Sequence, residues 1–304
     1  MPMHYGNEQR WKILTGKLEG MHNTPTHVFY NEVLGEGFDS GSKLVTITNL
    51  QQAATLHENT LQAAREVKDR YVRRIIGVDW GGGGAKRVSF TTIAVIGQLP
   101  TGQLECFYGE RSITPNVPLQ EAQLILKIAA ALKCSHIAHD YTGAGSLREQ
   151  FLFDAGVPHK SVIPIAYIGP TNGPLMRHVE ATDYHPRHYY EVDKPRSLAL
   201  ICNQIRDGAL KFFKYDHKGP DNPGLLHDFL SLIEEKNDSR AGGDLYTIIR
   251  NPKTNSPDDF VHAVNVACCS IWHMTQKWPD LAAVSKLEVS PELMATLNPA
   301  RPSW

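Results

Sequence analysis

"RRIIGVDWGGGG", residues 73 to 84, decides how this chain is read. An apolar run delivers one acid, Asp79, to its end and then breaks into four consecutive glycines, Gly81 to Gly84. In open α/β sheets the ends of central strands are where sites are built, so a strand stopping on a carboxylate beside bare backbone points to chemistry. A plain turn uses the same residue types. One acid does not separate the two readings; its partners must come from elsewhere in the chain.

Downstream, "RVSFTTIAVIG" and "QLECFYGERSI" read as two further strands joined by "QLPTG", whose Pro and Gly suit a turn. "PLQEAQLILKIAAAL" (118 to 132) has the spacing of an amphipathic helix, and "SHIAHD" (135 to 140) is a short strand ending on a second acid, Asp140. "GSLREQFLFDAG" reads as a helix closed by Gly156, and "KSVIPIAYIG" as another strand. A long irregular segment rich in His, Tyr and Arg spans 170 to 194. Helix "PRSLALICNQIRDG", strand "ALKFF", helix "GLLHDFLSLIEEK", strand "DLYTIIR" and a helix from Pro257 to about Lys277 complete the pattern. Three meandering strands followed by alternating helices and strands predict a mixed α/β sheet covered on both faces. Residues 1 to 70 hold one alternating stretch, "KLVTITNL" (43 to 50), and a polar, helix-favouring run; they read as an arm or linker.

At 304 residues the chain suits one large domain with appendages, or two modest ones, and 41% hydrophobic content is ordinary for a globular protein. No apolar run approaches the ~20 residues of a membrane span, and the first residues lack a secretory pattern. Five cysteines form no CxxC pair, which argues against a zinc knuckle or disulfide framework and fits a reducing, cytoplasmic setting. A net charge of −1 excludes an all-over basic coat but leaves local stripes, "KDRYVRR" and Lys86–Arg87. Neither "LTGKLEG" nor "GFDSGSK" fits GxxxxGK[ST], so no ATP site is expected in this chain.

A third acid position opens the last helix: Asp258 and Asp259 in "SPDDFVHAVNVACCSIWH". With Asp79 and Asp140 it makes three carboxylate positions on separate rigid elements, hard oxygen donors that suit Mg²⁺ or Mn²⁺. Two such ions roughly 3.5–4 Å apart can activate a water and stabilise a leaving phosphodiester oxygen. The structural alternative is local: Ser256 as N-cap, Pro257 at the first helical position, and both acids complementing the helix dipole. Phe260, Val264, Ala267 and Ile271 recur as a buried stripe. The acids lie off it, and His262, one turn on from both, shares their side. His262 either faces solvent or supports the acids and handles protons.

"IIGVDWGGGG", "IAHDYTGAG" and "DDFVHAV", in this order, resemble the nuclease domain of the large terminase subunit of tailed bacteriophages, a ribonuclease-H-like fold related to Holliday-junction resolvases. Upstream, "NEQRWKILTGKLEG" and "THVFYNEVLGEGFDSGSKLVTITNLQQA" are similar to the segment joining such proteins' packaging ATPase to their nuclease, so the resemblance runs from about residue 8 to 276. It implies an α/β, ribonuclease-H-like mixed sheet, three antiparallel strands then parallel ones, flanked by helices on both faces. It implies an arm over 1–70 following an ATPase domain of a longer chain, a nuclease domain over 71–280 and a tail over 281–304. The implied activity is metal-dependent endonucleolytic cutting of concatemeric double-stranded viral DNA during genome packaging, in the cytoplasm of the infected bacterial host. The implied partners are the packaging ATPase domain, the portal and the small terminase subunit, with no membrane. Asp79 and Asp140 would be metal ligands and Asp258 or Asp259 the third; Gly82 and Gly83 would admit the phosphate backbone, with Lys86 and Arg87 contacting phosphates. Related resolvases often carry an acid where His262 stands, which leaves the second metal position open.

Two other readings remain. "GVDWGGGGAKRVSFTTIAVIG" with "HDYTGAG" also resembles the phosphate loops of actin-like and sugar-kinase ATPases, though no glycine-rich adenosine-binding segment follows and the acids of the last helix have no task there. A non-catalytic module docking DNA or a partner through 170 to 194 is the other; Asp79 would then be dispensable.

Overall fold

The computed structural model describes residues 44–81, 90–112, 117–143, 145–171, 173–183, 186–216, 224–238, 244–252 and 256–279. They belong to one compact unit, residues 42–279. Two short helices lead in, α1 (Ile47–Ala53) and α2 (Leu61–Val67). A meander follows: β1 (Arg73–Asp79), β2 (Thr92–Gln98) and β3 (Leu104–Arg111). Helix α3 (Pro118–Leu132), strand β4 (His136–Asp140), helix α4 (Gly145–Asp154) and strand β5 (Val162–Ile168) come next. After the edge pair β6 (Met176–Val179) and β7 (Tyr189–Asp193), α5 (Lys194–Arg206) leads to β8 (Leu210–Phe212). A hairpin, β9 (Leu232–Asp238) and β10 (Asp244–Arg250), precedes the last helix, α6 (Asp259–Thr275).

The eight-stranded sheet has the order β6-β7-β5-β4-β1-β2-β3-β8. β1, β2 and β3 pair antiparallel, whereas β4 pairs parallel with β1, and β5 parallel with β4. That mixed order, with helices on both faces, is the expected ribonuclease-H-like arrangement. Strand residues alternate between faces, and two cores result. Ile75, Ala94, Ile96 and Ala138 join a core with residues of α1, α5 and α6. Ile76, Val78, Ile93, Val95 and Ile137 join the opposite core with residues of α2, α3 and α4. The alternation carries Asp79 and Asp140 to the α6 face and their neighbours Trp80 and His139 to the other.

Glycine sets how close α6 comes. A Cβ built on Gly77 would stand 1.8 Å from the Ala263 carbonyl oxygen and 2.9 Å from the Ala267 Cβ. Only a glycine lets helix backbone rest on strand backbone at that point. Pressed between the sheet, α5 and the turn over 225–231, α6 is buried on every side from Phe260 to Trp272, not along one stripe.

Other local expectations change with context. "KLVTITNL" is not a strand: Thr46 and Asn49 form a reciprocal capping box that starts α1, and this local bonding overrides the alternating pattern. "GLLHDFLS" makes a 3₁₀ helix, Leu225–Ser231, and its continuation is strand β9. The segment 170 to 194 contains the antiparallel pair β6–β7, too short and too exposed to show a period in sequence. None of the described helices is long and apolar enough to cross a membrane.

Candidate functional site

Asp79 is the last residue of β1 and Asp140 the last of β4; the parallel pairing of Val78 with His139 sets them side by side. Asp258 and Asp259 stand at the start of α6, one turn before the Gly77–Ala263 contact. The four carboxylates converge. Burial first, then the charges of Asp259, Asp140 and Asp258, push the Asp79 carboxyl well above its ordinary value of 3.8; Lys194 opposes them. Like charges gathered where water is scarce disfavour ionisation in just this way.

Each flanking acid is held differently. Asp140 Oδ1 accepts from the Thr142 backbone N–H at 2.8 Å and the Thr142 hydroxyl at 2.6 Å, a local turn that orients the carboxylate. His262 Nε2 donates to Asp258 Oδ2 at 3.2 Å, and Arg250 Nη1 lies 3.7 Å from Oδ1. Burial alone would raise the Asp258 carboxyl, but the His262 bond and the charges of His262, Arg250 and Lys194 outweigh it, so it sits below its ordinary value. His262 is buried against this acid and not turned to solvent.

Capping of α6 differs from the sequence expectation. Asp258, not Ser256, occupies the N-cap position, and its side chain makes no capping bond. The cap comes from another element: Asp228 Oδ2 accepts from the Phe260 backbone N–H at 2.9 Å while accepting from Arg111 Nη2 at 2.6 Å. Asp228 is fully buried, and that burial raises its carboxyl to about 7 despite Arg111.

Lys194 is the site residue that sequence reading missed. It is the first residue of α5, behind the Asp193 cap, and its charge favours ionisation of both Asp79 and Asp258. Its ammonium lies 5.5 Å from the Tyr167 ring centroid. A signal existed: a lysine in the first turn of a helix opposes the dipole, so its placement at the head of "KPRSLAL" called for a compensating reason.

Among the described residues, no three His, Cys, Asp or Glu side chains enclose a space that would hold a metal ion by themselves. Magnesium does not need such a cage; it keeps several waters and binds through one or two carboxylates plus substrate phosphates. The donor chemistry, carboxylates with one of them held toward its neutral form by burial and then by the charge of the others, fits a hard divalent cation. Gly82, Gly83, Lys86 and Arg87 lie outside the described residues.

No protein-family model matches the chain, and no curated protein matches it. Solved structures similar to it include the large terminase nuclease from thermophilic phage G20c, at 12% identity and a TM-score of 0.43, over 75% of this chain and 98% of that one. The human cytomegalovirus terminase nuclease domain is similar at 14% identity and a TM-score of 0.44, over 79% and 98%. The nuclease domain of the large terminase subunit of bacterial virus Sf6 is similar at 10% identity and a TM-score of 0.46, over 74% and 97%.

Proposed function

We propose that this chain is a divalent-metal-dependent DNA endonuclease centred on Asp79, Asp140 and the Asp258–Asp259 pair, cutting double-stranded viral DNA during genome packaging. The observation that carries the reading is the convergence at Asp79: a carboxyl at the end of β1 that burial first, and then three other carboxylates from β4 and α6, push above its ordinary value. A fold maintains such repulsion only where something compensates, and a Mg²⁺ or Mn²⁺ ion relieves it most directly.

When bound, such ions supply an activated water and stabilise the leaving oxygen of a phosphodiester. The chain's own residues do the rest. Asp79 and Asp140 offer oxygen donors from the ends of two adjacent strands. His262 and Arg250 keep Asp258 ionised, so it presents acceptor oxygens and no hydroxyl. Lys194 offsets the negative charge at the centre and can meet a substrate phosphate. The glycine run with Gly82 and Gly83 admits the DNA backbone, and Lys86 and Arg87 contact its phosphates. In this reading residues 1–70 are an arm after a packaging ATPase domain, with α1 and α2 packed into the cores of the nuclease, residues 71–280 are the nuclease and 281–304 a tail. The portal and small terminase subunit are the partners, in the host bacterial cytoplasm.

Plasmid cleavage in Mg²⁺ and Mn²⁺, comparing the unaltered chain with Asp79→Ala and Asp140→Ala while ATP turnover is followed, is the test. Metal-dependent cutting that disappears in both variants is the expected result. ATP turnover without cutting would overturn it.

A further inference from the structure

Behind the acids, on the opposite face of the sheet, their chain neighbours are joined. Trp80 Nε1 donates to His139 Nδ1 at 3.0 Å, so the residue after Asp79 is bonded to the residue before Asp140. An indole N–H can only donate. Nδ1 is therefore the bare ring nitrogen, and the proton sits on Nε2, 3.3 Å from Glu149 Oε1. The 3.0 Å approach of Nδ1 to the Asp140 carbonyl oxygen accordingly carries no hydrogen bond. Glu149 is held in turn by Arg187, whose Nε lies 3.2 Å from both carboxylate oxygens and whose Nη2 lies 3.0 Å from Oε1.

Three of this chain of four are enclosed, His139 at 0% exposure, Glu149 at 4% and Trp80 at 8%, and Arg187 is half-buried. Stability alone does not call for it, since apolar side chains of similar shape serve a core as well or better. What a satisfied buried polar network adds is a single geometry. Its third member is seated on the same backbone it serves. A Cβ built on Gly145, at the start of α4, would stand 2.0 Å from the Asp140 carbonyl oxygen and 3.4 Å from Trp80 Cδ1. Glu149 is one turn further along that helix.

We propose that His139 is a positioning residue: by joining Trp80 to Glu149 it fixes the separation and direction of the two strand ends, and so sets how tightly Asp79 and Asp140 hold a divalent cation. This rests on the metal reading of the acids given above. Partners that orient metal-binding groups are typically worth about 10- to 100-fold in metal affinity.

The test is Mn²⁺ binding to the full chain, followed by the electron paramagnetic resonance signal of free Mn²⁺, with melting curves confirming that each variant is folded. His139→Phe and Trp80→Phe should weaken Mn²⁺ binding by about 10-fold or more and raise the Mn²⁺ concentration for half-maximal cleavage, with kcat restored at saturating metal. His139→Asn, whose Oδ1 falls near the place of Nδ1 and can accept from Trp80, should recover most of the affinity. Should His139→Phe fail to fold, Trp80→Phe carries the expected loss of affinity, with His139→Asn as the variant that should retain it. Folded variants that bind Mn²⁺ like the unaltered chain, while Asp79→Asn binds it poorly, would overturn the positioning role alone. An Asp79→Asn variant with undiminished Mn²⁺ binding would overturn the metal reading, and this role with it.

Discussion

Asp79 holds its place at the expense of the fold. Its carboxyl is raised above 3.8 in the folded chain, so the native state binds a proton that the unfolded state releases. Stability is fully present below the unfolded value and falls as pH rises toward the folded one. Asp79→Asn removes that loss. Without metal at pH 8 it should raise the melting temperature while abolishing metal-dependent cleavage. Melting curves at pH 4 and pH 8 check the sign, because the gain should vanish at the lower pH. Asp79 and Asp140 were legible in sequence because each ends a short apolar run. Lys194 was not: its relation to the acids exists only once β7 and α5 bring the end of the 170 to 194 segment back over the sheet.

Helix α6 shows how an element can be recognised while its anchoring is misread. The motif "SPDDF" predicts a self-contained cap, yet the capping oxygen belongs to Asp228, thirty-two positions away in sequence. Two substitutions separate the readings. Ser256→Ala should change the unfolding free energy by no more than about 0.5 kcal/mol. Asp228→Ala leaves Arg111 without its carboxylate and should cost about 3 kcal/mol or more in urea unfolding. Sequence missed Asp228 because the segment around it looks amphipathic and helical, whereas the 3₁₀ turn it forms exists to place that side chain under α6. Strands β1 and β4 and helix α3 were readable because their periods are long enough, or their ends sharp enough, to stand without tertiary help. The edge pair β6–β7 was not, since its short strands take their conformation from β5.

Taken whole, the molecule balances 31 basic against 32 acidic side chains, so any grip on DNA has to be local. If contacts are mostly to phosphates, the logarithm of the binding constant should fall linearly with the logarithm of salt, with a slope of roughly −0.9 per phosphate neutralised. A flat titration would count against the proposed DNA surface. The two-faced layout was inferable from strand and helix order, but the division of labour between faces was not. That the α6 face gathers the acids while the far face ties their neighbours follows from the pleat and the register of β1 on β4. Because the Ala263 carbonyl rests directly on Gly77, the span between strand-borne and helix-borne acids is fixed by main chain against main chain, which core side chains cannot relax. In the metal reading proposed above, a span set this way should discriminate among cations by size. Cleavage should therefore differ between magnesium, which coordinates at about 2.0–2.1 Å, and calcium, which takes about 2.3–2.6 Å. Gly77→Ala, by lifting the helix, should blunt that discrimination before it abolishes folding.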